Sequence, residues 1–268
     1  MPPQGSEVFA SLDHAGRVWA VAPVAGRSAK LARLHDQLAN AWRLGDRLVY
    51  LGDYLAPGPD IVGTLDELLM FRRELLCRPG MEPGDIAYLR GAQEEIWRKL
   101  LQLQFATDPI GVFDWMLRQG IGAAIEAYGD DVERARNHFR AGAQATTRWS
   151  GEMSARMRAH PGHDDILAGL RRAAYTAEGT LLFVHAGIDP DRPLAAQNDT
   201  FWWGSRRFAD MAEPYEGFRL VVRGRDRERH GEGAGTYWLT IDGGSGDTGT
   251  LNAGCFSHEG ELVDLIEV

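Results

Sequence analysis

Val49-Tyr50-Leu51-Gly52-Asp53-Tyr54-Leu55-Ala56-Pro57-Gly58-Pro59-Asp60 decides how this chain folds. A short apolar run ends in Gly-Asp, and a tight Pro/Gly loop follows. The run reads as a buried strand. Gly52 lets the backbone turn and leaves Asp53 at the strand's C-terminal edge, where ligands bind in α/β sheets. Upstream, Val18-Trp19-Ala20-Val21-Ala22 reads as another strand, Pro23 to Arg27 as a loop, and Ser28 as an N-cap. Leu31, Leu34, Leu38 and Trp42 then share one helical face. Strand, helix, strand is the unit that builds parallel sheets.

Downstream, the sequence predicts an amphipathic helix from Ile61 to Cys77 and a strand from Asp85 to Leu89, ending at Arg90-Gly91. From about residue 94 to residue 175 it is helical and strand-free, interrupted at Asp108-Pro109, Gly120, Gly129-Asp130 and Pro161-Gly162. This reads as a helical insertion capping the sheet. Leu181 to Val184 returns as a strand closed by His185-Ala186-Gly187, and Leu220 to Val222 as one ending in Arg223-Gly224-Arg225. Tyr237–Ile241, Thr250–Phe256 and Leu262–Val268 read as late strands. Only turns join them, so they are expected to be antiparallel. No linker interrupts the chain, and residues 1–268 read as a single domain.

The composition narrows the function. Hydrophobic residues make up 44% and charged residues 25% of 268 positions, an ordinary globular balance. A net charge of −9 argues against nucleic acid and against an anionic membrane as partners. Cys77 and Cys255 make neither a disulfide framework nor a zinc site. The first residues carry no signal-peptide pattern and no apolar run is long enough to span a bilayer, so a cytoplasmic location is expected.

Four strand ends now carry glycine beside a polar residue: Gly52-Asp53, Arg90-Gly91, His185-Ala186-Gly187 and Arg223-Gly224-Arg225. This pattern resembles the calcineurin-like metallophosphoesterases, in particular the bacterial branch similar to serine/threonine protein phosphatases and dinucleoside tetraphosphatases. Phe183-Val184-His185-Ala186-Gly187-Ile188-Asp189-Pro190 is similar to that family's F-V-H-A-G-I-x-P block. Leu51-Gly52-Asp53-Tyr54 with Gly58-Pro59-Asp60 is similar to its G-D-Y-x-D-R-G-P-D block, and Ile241-Asp242-Gly243-Gly244 to its late I-D-T-G strand. The resemblance covers nearly the whole chain. It implies an α/β fold, a two-layer β-sandwich flanked by helices, with two metal ions held at the strand ends to clamp a phosphate and activate water.

Carried over position by position, the resemblance also implies that most ligands are gone. The expected G-D-x-H-G block reads Ala22-Pro23-Val24-Ala25-Gly26, so Pro23 and Ala25 stand where Asp and His ligands would. Asp53 is kept at the position shared by both metals, whereas Ala56 and Pro57 replace the Asp and Arg of D-R-G. The G-N-H-E block reads Gly91-Ala92-Gln93-Glu94: Ala92 takes the Asn ligand's place, and Gln93 that of the histidine that would protonate the leaving group. His185 stands. Arg225 replaces the last His ligand of H-G-H. Two of six ligand positions remain, Asp53 and His185, while the glycines and apolar flanks persist.

The leading expectation is therefore a catalytically inactive phosphatase-like protein that binds a phosphorylated ligand or a protein partner and needs no cofactor. Arg90, Arg223 and Arg225 are candidates to hold a phosphate, since guanidinium groups chelate its oxygens. An ion pair between Asp53 and Arg225 is expected in place of the metal. The alternative is an active phosphoesterase using Mn-, Fe- or Zn-type metals, with one ion at Asp53 and His185 or with displaced ligands such as His230 or Glu94. Smaller features take plainer readings. His160 and His163 bracket a solvated turn, and His230 lies on a surface loop. Residues 244–249 form a glycine-rich hairpin, Trp202-Trp203 packs beneath the cap, and Glu94-Glu95 complements a helix dipole.

Overall fold

Residues 8–226, 233–244 and 249–268 are described by the computed structural model. In chain order, β1 (Phe9–Leu12) and β2 (Arg17–Val21) lead into α1 (Ser28–Ala41), β3 (Asp46–Tyr50), α2 (Ile61–Leu76) and β4 (Ile86–Tyr88). Six helices follow: α3 (Ala92–Leu100), α4 (Pro109–Arg118), α5 (Gly122–Ala127), α6 (Val132–Arg140), α7 (Ala143–Arg158) and α8 (His163–Ala168). The chain then runs through β5 (Ala173–Thr176), β6 (Leu181–Val184), α9 (Thr200–Trp203), β7 (Leu220–Arg223) and β8 (Gly233–Ala234). It finishes in β9 (Trp238–Thr240), β10 (Asn252–Ser257) and β11 (Leu262–Glu267).

The strands make two sheets, one ordered β1-β5-β6-β7-β9-β8 and the other β11-β10-β2-β3-β4. Strand β6 shows how the layers pack. Side chains alternate across a strand, so Leu181 and Phe183 join the large core between the sheets, with Phe183 edge-on to Phe256 of β10 at 5.8 Å. Leu182 and Val184 face a second cluster with Phe201, Trp202 and Phe208. Burial on both faces explains the unbroken Leu-Leu-Phe-Val run. The strands β2, β3 and β4 are mutually parallel, and so are β6, β7 and β9. Each set delivers its strand-end loops to one edge. There the Leu51 carbonyl after β3 meets the His185 ring after β6.

Three expectations need correction. The late strands are not one antiparallel series: β9 runs parallel to β7 in one sheet, whereas β10 pairs antiparallel with β2 and β11 in the other. Turn-only connections gave no warning that the chain changes sheets between β9 and β10. The helical insertion ends earlier, because Ala173–Thr176 is β5. That strand pairs in parallel with β1, which the sequence reading also passed over. Both are short, and β1 finds its partner far along the chain, whereas β5 also pairs antiparallel with the next strand, β6. Lastly, the Ser28 hydroxyl does not cap its helix but donates to Asp60 at 2.7 Å, and Asp60 itself caps α2 through the Gly63 N–H. This links the loop after β2 to the loop after β3.

The apolar side chains of the insertion continue the large core, and there Phe139 stands edge-on to Phe113 and to Trp149. Among the described residues no helix is long and apolar enough to cross a membrane.

Candidate functional site

Gly52 carries φ +97° and Asp53 φ +59°, so the chain leaves β3 through two consecutive left-handed residues. Asp is among the side chains that tolerate this region. A Cβ on Gly52 would sit 2.7 Å from the Gly91 backbone, so two glycines let the loops after β3 and β4 touch. These contacts keep the glycine positions fixed whatever the side chains around them do.

At this edge Asp53 is fully buried. Its Oδ1 accepts the Gln93 backbone N–H at 3.1 Å, and its Oδ2 accepts from the Arg225 guanidinium. His185, also fully buried, lies with Nε2 3.6 Å from Asp53 Oδ1. Its Nδ1 is 2.6 Å from the Leu51 carbonyl oxygen, which can only accept, so Nδ1 carries the proton. Nε2 then accepts the Ala92 backbone N–H at 3.2 Å. Asp242, 6% exposed, lies near enough to Arg225 to raise its pKa, as Asp53 does more strongly.

Glu94 fastens this arrangement. Its Oε2 accepts the N–H groups of Gly91 and Asp53, each at 2.9 Å, and its Oε1 that of Leu55 at 2.8 Å. The sequence reading of Glu94 and Glu95 as dipole partners catches only the first contact, at the start of α3. Glu95 points elsewhere, into an ion cluster with Arg90 at 3.3 Å and Arg98 at 2.7 Å.

Burial disfavours the charged form of every group here. It opposes ionisation of Asp53, but the charge of His185, whenever that ring is protonated, together with that of Arg225 and the Gln93 N–H, outweighs it, and the carboxyl sits below its ordinary value. Burial pushes His185 down, so the ring is neutral at pH 7 and Arg225 supplies the positive charge. Burial and the Asp53 charge push Glu94 up to about 7, against the pull of its three N–H donors.

These shifts predict an acid limb of stability. Burial pushes His35, His163 and His185 all down. A base held neutral in the fold takes up a proton on unfolding once pH drops below its unfolded value of about 6.5, so each costs stability there. Glu94 works in the opposite sense, because the fold raises its pKa. The net difference is at most two protons, or about 2.7 kcal/mol per pH unit. Urea unfolding midpoints are expected to fall between pH 7.5 and pH 5.5, and a flat profile would contradict the neutral histidines.

The donor set does not fit a two-metal centre. Pro23 and Ala25 offer no ligand side chain, and Ala92 offers only an N–H, which His185 has taken. Gln93 reaches away, its Nε2 donating to the Gln119 carbonyl at 2.7 Å. Both oxygens of Asp53 and the Nε2 lone pair of His185 already accept hydrogen bonds, and Arg225 sets a cation against Asp53. Among the described residues no group of three or more His, Cys, Asp or Glu side chains converges to hold an ion. His230 lies outside the described residues, as do residues 245–248 of the glycine-rich turn.

Of the arginines considered for phosphate, only Arg225 touches Asp53. Arg90 sits on Glu95, and Arg223 pairs with Asp226 at 2.6 Å, donates to Thr240 and stacks 4.4 Å from the Phe208 ring. His163 is no solvated turn residue. It is fully buried between the Tyr128 hydroxyl at 2.9 Å and Asp66 at 3.1 Å, with His160 stacked on it. Trp202 packs beneath Arg172, and Trp203 meets Trp115 of α4, as expected for packing under the insertion.

No family model and no curated protein matches the sequence. Solved structures do: 78 chains match. One, provisionally described as a diadenosine tetraphosphatase, is 20% identical with a TM-score of 0.56, over 97% of this chain and 96% of that one. A single-site variant of a cold-active protein tyrosine phosphatase is 13% identical with a TM-score of 0.53, over 100% of this chain and 85% of that one. The cold-active protein tyrosine phosphatase of a psychrophilic Shewanella is 12% identical with a TM-score of 0.51, over 96% and 81%. The chain thus has a metallophosphoesterase-like α/β fold, and the likeness is one of fold.

Proposed function

We propose that this protein is a non-catalytic member of the metallophosphoesterase fold that acts by binding. The observation that carries the reading is the Asp53–Arg225 contact, backed by the Ala92 N–H on His185 Nε2. An arginine and a backbone amide occupy the lone pairs that a pair of cations would need. The Gln93 position supplies no proton to a leaving group, and hydrolysis by in-line attack needs both the clamp and the acid.

Of the two ligand classes expected from the sequence, the charges favour a protein partner. A phosphate placed on Arg225 would meet the Asp53 carboxylate, with that of Asp242 nearby, at a site where one guanidinium already balances Asp53. Phosphate recognition would need additional cations, and Arg90 and Arg223 are committed to Glu95 and Asp226.

Metal content tests this directly. After manganese loading and removal of excess, elemental mass spectrometry is expected to find on the order of 0.1 ion per chain or less, as befits loss of the clamp. Hydrolysis of aryl phosphates is expected to stay at the level of an Asp53→Asn control. One or two retained ions, together with turnover that Asp53→Asn abolishes, would establish a metal-dependent hydrolase instead.

A further inference from the structure

Asp66 and Glu67, adjacent on α2, each end the same kind of side-chain relay. On one side the Tyr50 hydroxyl lies 2.8 Å from His35 Nε2, and His35 Nδ1 lies 2.5 Å from Glu67 Oε1. On the other the Tyr128 hydroxyl lies 2.9 Å from His163 Nδ1, and His163 Nε2 lies 3.1 Å from Asp66 Oδ1. A carboxylate oxygen only accepts, so the nitrogen facing it carries the proton and the far nitrogen accepts from the phenol. Both rings are therefore satisfied in the neutral form. Protonation breaks the pattern, because the phenol must then accept and its own proton loses its acceptor. Tyr50 and Tyr128 are buried, and neither hydroxyl makes a second hydrogen bond among the described residues.

The two relays differ in how they can open. His35 belongs to the 14-residue α1, its ring is stacked on Phe71 at 3.9 Å, and the Glu67 side chain is only 11% exposed. His163 begins the six-residue α8, between Gly162 at φ +88° and Gly169, and the Asp66 side chain is 59% exposed. Water has access to Asp66, and a short helix between two glycines can swing without disturbing a sheet. His160 is stacked on His163 at 5.1 Å, so a charge on either ring opposes a charge on the other. Asp66 and Asp164 favour the charged form of His163, but burial and His160 oppose it, and burial is the largest influence. The relay also reaches the candidate site. The Tyr128 ring lies 5.7 Å from Trp97 of α3, the helix whose first turn holds Gln93 and Glu94. Beyond α8, the Arg171 carbonyl accepts the Arg90 N–H at 2.7 Å.

We propose that His163 is an acid-released latch: the neutral ring fastens α8 and the end of α5 to α2, and proton uptake opens this contact locally while both sheets stay folded. The loss of overall stability expected in acid is a separate effect, because here the His35 relay stays closed. The latch does not depend on whether the Asp53 centre is catalytic.

Native-state hydrogen exchange on the full-length protein tests this, with rates corrected for the chemical effect of pH. The amides of Ile166 and Gly169, which donate to the Gly162 and Asp165 carbonyls, report on α8. Opening restores an ordinary imidazole value of about 6.5, so uptake of one proton should lower their protection about tenfold between pH 7.5 and pH 5.5. That loss should be insensitive to low urea, whereas the β3 amides should exchange through urea-sensitive unfolding. His163→Gln keeps a donor for Asp66 and an acceptor for Tyr128 but cannot titrate. It should retain protection at pH 7.5 and abolish the tenfold loss. If that variant does not fold, Tyr128→Phe decides: without the phenol donor the neutral ring loses its advantage, and the pH dependence should flatten. Equal protection at both pH values in the parent, an unchanged pH dependence in the variant that folds, or Ile166 exchange that follows β3 in urea would each overturn the proposal.

Discussion

Replacing Arg225 with Ala is expected to destabilise the fold by about 2–4 kcal/mol at pH 7. Removing one partner of a buried ion pair typically costs about 3–5 kcal/mol, because the other charge is stranded. The Arg225 side chain is 35% exposed, which lowers the expectation, since the outer part of the pair is screened by water. Asp53 is the stranded charge. It is fully buried, and without Arg225 only the Gln93 N–H donates to its oxygens among the described residues. Asp53→Asn alone should cost less, about 1–2 kcal/mol, because asparagine keeps an acceptor for that N–H and Arg225 can turn toward solvent. The double variant Asp53→Asn/Arg225→Ala should then be more stable than Arg225→Ala alone. Acid sharpens the test. In the parent, Asp53 lies below its ordinary value, so its contribution is present above about pH 3.9 and is lost as pH falls through the lower folded value. In Arg225→Ala the folded value rises instead, so that variant's deficit should shrink between pH 7 and pH 4.5. Strictly additive single and double effects would show that the two side chains do not couple, and the proposed substitute for the metal would fail with them.

How far the sequence could be read follows from what sets each feature. The strands around Asp53 and His185 are continuous apolar runs ended by glycine, and buried parallel strands impose that pattern locally. Leu181–Val184 therefore needs no tertiary information to be found. Phe9–Leu12 is different, since this four-residue, half-buried strand pairs with Ala173–Thr176, far away in sequence. The Asp53–Arg225 contact was legible because the family resemblance implies that Arg225 stands at a ligand position beside Asp53, and a buried carboxylate needs a cation. The role of Glu94 was not. A glutamate two residues into a helix, beside another glutamate, looks like dipole compensation, and nothing local shows that the backbone of Asp53 and Leu55 will arrive within its reach. The same holds for His163, whose flanking Pro161-Gly162 signals a turn but not the Tyr128 and Asp66 side chains that close over it.

Glu94 carries the second large expectation. Glu94→Ala should lower the unfolding free energy by at least about 3 kcal/mol, since three buried N–H groups lose their acceptor and each unsatisfied group costs about 1–3 kcal/mol. A typical domain has only about 5–15 kcal/mol to lose. Glu94→Gln separates the three bonds. A single amide oxygen can take the place of Oε2 and keep the Gly91 and Asp53 donors, which leaves the amide NH₂ against the Leu55 N–H. Hydrogen exchange should therefore speed up at Gly91, Asp53 and Leu55 together in the alanine variant, and chiefly at Leu55 in the glutamine variant. A catalytic acid or base at this position would behave otherwise: both variants would lose turnover while all three amides stayed protected. Graded exchange in the first pattern would identify Glu94 as the strap that holds the loop after β3 to the start of α3. The glycines, the left-handed Asp53 and this carboxylate would then account for a strand-end architecture that keeps its shape around the Asp53–Arg225 pair.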